Sequence, residues 1–514
     1  MSSYTSNNQR IAKNTILLYI RMIFLMGVSL YTSRVVLQAL GVSDYGIYNV
    51  VGGFVTMFSV ISASLSAAIS RFLTVELGRG DKDKLSKIFS SSVSIQIALS
   101  ILIVVLAESV GLWYLNSKMN IPEERMVAAN WVFQLSLAAF AVNLISIPYN
   151  SAIIAHERMG AFAYIGIVDG VAKLVIAFLL LKSPIDTLVY YAILMFVVAL
   201  LIRMLYTFYC NRHFEECKYH FCFDKELLKQ MFGFAGWNMI GASSSILRDQ
   251  GGNIVLNYFL GTTVNAARGI SFQIRGAVQS FVSNFMMALN PQITKSYARG
   301  EHDYMMSLIF RGARYSYYIL FIISLPIIIN TPYLLNLWLT EVPEHTASFV
   351  RLVLILSMTD ALSTPLVTAM LATGDIRNYQ IIVGGLNLLN LPIFIVLLKL
   401  GIAPESVFIT EIIISLICLV ARLILLRKMI GLSAHKYMKV VCVNVLIVTL
   451  VSTIVPVALY YSLETTFFTF CIVSLVCVIS TVLAIWTLGL GSYERKFLMN
   501  KIIETVSRKN LIKK

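Results

Sequence analysis

Charge is scarce in this chain: only 13% of its 514 residues are Asp, Glu, Lys or Arg, about half the share of an ordinary soluble protein. With 58% hydrophobic residues and a mean hydropathy of +0.78, it cannot assemble a polar coat for a soluble globule. Secreted disulfide scaffolds, disordered chains and soluble enzymes are thereby excluded. Its 6 His and 7 Cys leave little from which to build an active site. No Cys falls in a connection assigned to the outer side, so no structural disulfide is expected. A Walker loop, a dinucleotide fingerprint and a zinc-protease helix are all missing. The apolar stretches are too long and continuous for the alternating strands of an outer-membrane barrel. What remains is an all-α polytopic membrane protein.

A span needs about 20 mostly apolar residues. Fourteen candidates lie near 14–36, 46–70, 88–113, 128–154, 161–181, 185–207, 233–258, 265–290, 312–333, 347–372, 378–398, 404–426, 438–461 and 465–489. The first run is long and carries Arg21 and Arg34, so it reads as a true span rather than a cleavable signal. The longest connection, Asn211 to Phe232, has no room for a folded soluble domain. With the N-terminus inside, about thirty of the 41 Lys and Arg fall on the inner side and about five on the outer. That asymmetry predicts an even number of spans with both termini cytoplasmic. Trp113, Trp131 and Trp338 fall at the outer rim and Trp237 and Trp486 at the inner one, as interfacial anchors do. The net charge of +15 is then largely topological and does not point to nucleic acid. The basic tail from Lys501 to Lys514 reads as a contact with inner-leaflet lipid. The group Cys210, His213, Cys217, His220 and Cys222 has zinc-type ligands at a spacing that matches no usual finger. Reduced thiols are expected there; no metal or cofactor is.

The chain also repeats itself. Leu40-Gly41 and Arg79-Gly80-Asp81-x-Asp83 align without a gap, 220 residues on, with Leu260-Gly261 and Arg299-Gly300-Glu301-x-Asp303. Ser146, Pro148, Ala152 and Ala155 align at a shift of 217 with Ser363, Pro365, Ala369 and Ala372. Spans 1–6 and 7–12 are then two parallel copies of one six-helix unit, an arrangement suited to rocking of one half against the other around a site between them. The expected division is an N-terminal lobe (1–210), a cytoplasmic linker (211–232), a C-terminal lobe (233–430), two additional helices (431–490) and the basic tail (491–514).

Leu40-Gly41 with Asp44-Tyr45-Gly46-Ile47-Tyr48, the Gly78-Arg79-Gly80-Asp81 loop, the lead-in Asp224-Lys225-Glu226-Leu227-Leu228-Lys229 and Leu335-Asn336-Leu337-Trp338-Leu339 resemble segments of polysaccharide-biosynthesis transporters. Over essentially the whole chain the resemblance is to Wzx-type flippases of lipid-linked oligosaccharides. They belong to the superfamily that also holds MATE multidrug exporters and the lipid II flippase. It implies a MATE-like fold and a cationic central cavity, but none of these motifs is catalytic or fixes the glycan.

Once the cations assigned to the two membrane sides and their loops are counted, six remain within the spans: Arg21, Arg34, Lys173, Arg248, Arg268 and Arg275. Each costs about 2.5–3.5 kcal/mol at a helix centre, so each is expected to face a cavity or a partner. Asp169, Asp249 and Asp360 are the clear acids at similar depth, and they are candidates for ion coupling or ion pairing. An excess of cations suits a diphosphate better than a cationic drug. Arg34 and Arg268 could instead snorkel to headgroups, Arg248 could pair with its neighbour Asp249, and Asp169 with Lys173 at i, i+4. The serines at 62, 66 and 70 share one helix face; with Ser64 and Ser243 to Ser245 they suit close helix packing, or hydroxyl contacts to sugar.

The sequence therefore predicts no enzyme but a flippase in the bacterial inner membrane. It would carry undecaprenyl-diphosphate-linked oligosaccharide from the cytoplasmic to the outer leaflet by alternating access. Membrane lipid, H⁺ or Na⁺, and other polysaccharide-assembly proteins are the expected partners. A MATE-like exporter of drugs or other small molecules is the first alternative. A membrane-embedded polymerase or glycosyltransferase is the second, which the short outer loops disfavour.

Overall fold

The computed structural model describes residues 2–56, 59–117, 121–222, 224–339, 342–464, 466–491, 494–496 and 499. Lys118 and the tail from Lys501 to Lys514 lie outside these. Among the described residues the chain is helical, with no strand. The main helices are α1 (Ser2–Thr56), α2 (Ser59–Arg79), α3 (Lys82–Leu106), α4 (Met126–Ala155), α5 (Met159–Leu180), α6 (Thr187–His213), α7 (Lys225–Ala298), α8 (His302–Ile329), α9 (Thr346–Thr373), α10 (Arg377–Leu388), α11 (Asn390–Lys399), α12 (Glu405–Ile430), α13 (Asn444–Ser462) and α14 (Phe467–Ala484).

Eleven helical stretches among the described residues are long and apolar enough to cross a membrane. They correspond to all the expected spans except those at 46–70, 233–258 and 265–290. The latter two carry Arg248, Asp249, Arg268 and Arg275, which lowers their apolar character; the first runs over residues 57 and 58, which lie outside the described residues. Apolar side chains such as Ile16, Ile20, Leu102, Leu450 and Leu483 are exposed on the outward faces, as lipid-facing helices require.

Two helices each run through parts of two of the expected spans. In α1 the helical dihedrals break at Gly41 (φ 74°, ψ 168°), a conformation open chiefly to glycine. In α7 the chain folds back: Arg268 Nη2 donates to the carbonyl of Asp249, 3.3 Å away. A straight helix would separate residues 19 apart by about 28 Å. Helix starts are capped where the sequence supplies Asp. Asp81 accepts from Lys84 N, Asp186 from Leu188 N and Val189 N, and Asp224 from Glu226 N and Leu227 N, each satisfying amides a helix N-terminus leaves open.

The backbone repeats as the sequence does. Gly80 and Gly300, equivalent at a shift of 220, both have positive φ (81° and 73°). Glu157 and Gly374, equivalent at a shift of 217, do too (60° and 85°). Pro148 and Pro365 both sit inside helices, α4 and α9.

The chain divides into two compact units. Unit 1 comprises Met1–Ser243 with the shorter pieces Met287–Met305 and Leu371–Gln380. Its core includes Leu18, Ile69, Phe89, Tyr149 and Ile153, and also Ala288 and Ile376 from those shorter pieces. A second cluster gathers Val51, Ala129, Val132, Phe133 and Leu188. Within unit 1 the ends of α2 and α7 pack at equivalent residues. A Cβ on Gly78 would lie 2.8 Å from that of Ala298, and Arg299 Nε donates to Gly78 O (3.3 Å). Arg71 donates to the carbonyls of Leu371 (2.7 Å) and Ala372 (3.2 Å). At the equivalent corner, Glu157 is buried and takes Lys295 at 2.6 Å, Arg10 at 3.3 Å and Gln292. Glu157 occupies a left-handed conformation that costs a non-glycine residue about 1–2 kcal/mol, against which these three donors hold it. Unit 2 comprises Ser244–Met286, Met306–Met370 and Ile381–Lys514, with Leu256, Phe349, Val353, Phe394 and Phe408 in its core.

Candidate functional site

In unit 1, α1 and α5 run against each other, and small residues on α5 set how closely. A Cβ on Gly166 would stand 2.1 Å from Arg21 Nε, and one on Gly170 2.6 Å from Leu25 Cδ2. Glycine at 166 therefore makes the space in which the Arg21 guanidinium lies, 4.5 Å over the Phe162 ring. Arg21 Nε is buried with no hydrogen-bond partner, and Arg21 forms no ion pair among the described residues. Asp169, one turn along α5, contributes to the field at Arg21 but bonds Lys173 instead, at 2.7 Å. This is the i, i+4 pair expected from spacing.

Asp169 and Lys173 line a cavity of about 600 Å³ with Tyr48, Ser136 and Asn143. This is a size suited to a small ligand or a piece of a large one. Its walls combine one carboxylate, one ammonium, an amide and hydroxyls, which is the equipment needed to replace water around a polar group. Arg34, further along α1, is exposed and has no ion pair among the described residues.

Unit 2 carries the remaining predicted charges, and there they are matched. Arg248 bonds Asp249 (2.9 Å). Arg275 reaches Asp360 (3.3 Å), whose other oxygen accepts from Ser415 Oγ at 2.6 Å. Arg268 is fully enclosed, pairs at 3.3 Å with Glu411, also fully enclosed, and lies over Phe272 (4.6 Å) and Phe408 (5.2 Å). Arg268 thus neither snorkels nor faces an open cavity. The excess of cations expected from the sequence is not found in this cluster: Arg248, Arg268 and Arg275 are balanced by Asp249, Asp360 and Glu411. Glu411 is the group the sequence reading passed over. The signal was present, since an acid two turns inside the apolar span 404–426 requires a buried partner.

The serines divide between the two readings. Ser244 is buried, and a Cβ on Gly384 would lie 3.4 Å from its Oγ, so it serves close packing. Ser64 is likewise buried, whereas Ser62, Ser66 and Ser70 are partly open.

The Cys and His group does not converge. His213 Nδ1 meets the Tyr209 carbonyl (2.9 Å) and His220 Nδ1 meets Ser90 Oγ (3.1 Å), while Cys210 and Cys217 are buried. A hydrogen bond with Cys210, together with burial, pushes the Cys217 thiol well up from its ordinary value. Among the described residues no set of His, Cys, Asp and Glu gathers as metal ligands.

Residues 11–297 match the family model described as polysaccharide biosynthesis protein. The membrane protein EpsK of Bacillus subtilis (strain 168), itself described as uncharacterized, is 21% identical over 299 residues. That match covers 57% of this chain and 58% of EpsK, so the chain spans less than two thirds of that relative. Solved structures share the fold over far more of the chain. A MATE protein in its bent conformation has a TM-score of 0.72 at 13% identity, covering 83% of this chain and 96% of that one. The bent form of the Vibrio cholerae MATE transporter VcmN scores 0.68 at 16% identity, covering 84% and 98%. A MOP superfamily transporter from Pyrococcus furiosus scores 0.65 at 13% identity, covering 82% and 96%. The reverse polarity of that protein's binding pocket is said to suggest a different function. At these identities the likeness is one of fold.

Proposed function

The chain belongs to the polysaccharide biosynthesis protein family, and from that premise we propose that it is a flippase for a saccharide linked through diphosphate to a polyprenyl lipid. The family match together with a multi-pass MATE-type helical fold supports a MOP-type flippase or transporter; the substrate and the direction, inner to outer leaflet, are our reading. One observation carries the anionic substrate. Arg21, well inside span 1, is a guanidinium held in place by Gly166 and Phe162 with no carboxylate bonded to it, whereas every predicted cation of unit 2 is neutralised. A cation at mid-span without a counter-ion is costly, and a phosphate oxygen is a matched partner for a guanidinium donor. Arg34 and the cavity around Lys173 and Asp169 extend the polar path. Arg275, Arg248 and Arg268 take structural roles in the conformation seen, with Asp360 and Asp249 as their counter-ions.

Translocation by alternating access replaces the hydration of the diphosphate and sugar with fixed charges and hydroxyls, while the lipid tail stays in the bilayer. H⁺ or Na⁺ coupling, an inner-membrane location and cytoplasmic termini belong to the same reading. The test is removal of the protein from its cell: a diphosphate-linked saccharide lipid is expected to accumulate on the cytoplasmic leaflet. An unchanged lipid-linked pool, with raised sensitivity to cationic drugs, would favour the exporter reading instead.

A further inference from the structure

A second cavity, of about 430 Å³, lies in unit 1, and Arg21 is not among its lining residues. Its lining comes from the end of α2, the first turns of α7 and the α9–α10 connection, and it includes Arg71, Lys229, Arg377 and Asp375. Three cations face one carboxylate. Lys229 and Arg377 are exposed and have no ion pair among the described residues. Arg71 is held rather than loose. It spends Nε and Nη2 on the carbonyls of Leu371 and Ala372 and lies 4.9 and 5.1 Å over the rings of Phe72 and Phe234. Those bonds leave the Nη1 side of the guanidinium unspent. Gly374 makes this placement possible, because a Cβ there would stand 2.1 Å from Arg71 Nη2. Arg377 lies 5.6 Å over Trp237, an aromatic anchor of the kind found at headgroup level.

We propose that this cavity is a binding site for a phosphate-bearing headgroup. A pre-positioned guanidinium, two further cations and an aromatic wall suit the charge and oxygen geometry of a phosphate ester. The aromatic and cationic mixture suits one presented at a membrane surface. The site shares no lining residue with the cavity around Asp169 and Lys173, and the inference does not depend on the transport reading.

The test uses the full-length protein in detergent, with lipid adducts counted by native mass spectrometry against added phosphatidylglycerol, and with inorganic pyrophosphate titrated separately. The double variant K229Q/R377Q leaves the Arg71 bonds intact. It is expected to bind phosphatidylglycerol about thirtyfold more weakly, while the control K436Q/K439Q, at two other exposed cations, stays within about twofold. Equal binding by wild type and K229Q/R377Q, or equal weakening by both double variants, overturns the site. Pyrophosphate binding with the same dependence on Lys229 and Arg377, and no such dependence for the lipid, supports the phosphate site and overturns a lipid as its source.

Discussion

Replacing Glu411 by Leu isolates the charge cluster of unit 2. Arg268 would keep its full enclosure but lose the carboxylate 3.3 Å away. Removing one partner of a buried pair costs about 3–5 kcal/mol, and a cation at mid-span costs about 2.5–3.5 kcal/mol on insertion scales. The Phe272 and Phe408 faces and the Asp249 carbonyl remain, and desolvated cation–π contacts are worth about 2 kcal/mol. The lower end is therefore expected, a loss of about 3 kcal/mol. Arg268→Met with Glu411→Leu removes both charges and is expected to return to within about 1 kcal/mol of wild type. Reversible unfolding by SDS from mixed micelles, followed by circular dichroism, reads the wild type and both variants. A loss below about 1 kcal/mol for Glu411→Leu, or a double variant as damaged as the single, would refute the assignment of this pair as structural.

Gly166→Ala places a methyl against Arg21 Nε and should abolish saccharide export at normal protein abundance, as should Arg21→Glu; intact export in both would remove Arg21 from the path. Gly374→Ala combines a positive φ of 85° with a clash on Arg71 and is expected to cost at least about 1–2 kcal/mol, measured by the same unfolding assay. Ahead of α4 and α6, Arg125 bonds Asp186 (2.5 Å) and Asp44, and the Arg125 bond holds the Asp186 carboxyl below its ordinary value. A depressed carboxyl stabilises above its unfolded value, and that contribution is lost as pH falls through the lower folded one. Stability should thus decline on the acid side of about pH 4, and Asp186→Asn should flatten that limb; an unchanged acid limb would contradict the coupling.

Hydropathy alone makes the membrane class and most spans legible, because a helix crossing lipid has little freedom in length or composition. The repeat was legible from the Arg-Gly-acid-x-Asp loops, and the backbone repeats at Gly80 and Gly300 and again at Glu157 and Gly374. The Asp169–Lys173 bond was legible because helix geometry fixes i, i+4 neighbours. Contacts between residues far apart were not. Glu411 meets Arg268 across 143 residues, and Glu157 meets Lys295 across 138; one sequence carries no signal for such pairings. In unit 2 the Arg248–Asp249 pair was legible from adjacency, but the partners of Arg268 and Arg275 were not, for the same reason; Arg21 stood out only once Gly166 was seen to make room for it.

The most direct measurement reconstitutes the purified protein in liposomes with a polyprenyl-diphosphate-linked oligosaccharide in one leaflet and follows its appearance in the other. Protein-dependent crossing that Arg21→Glu abolishes is the predicted result. No crossing of this lipid, with uptake of a cationic dye that the same protein supports, would contradict the account.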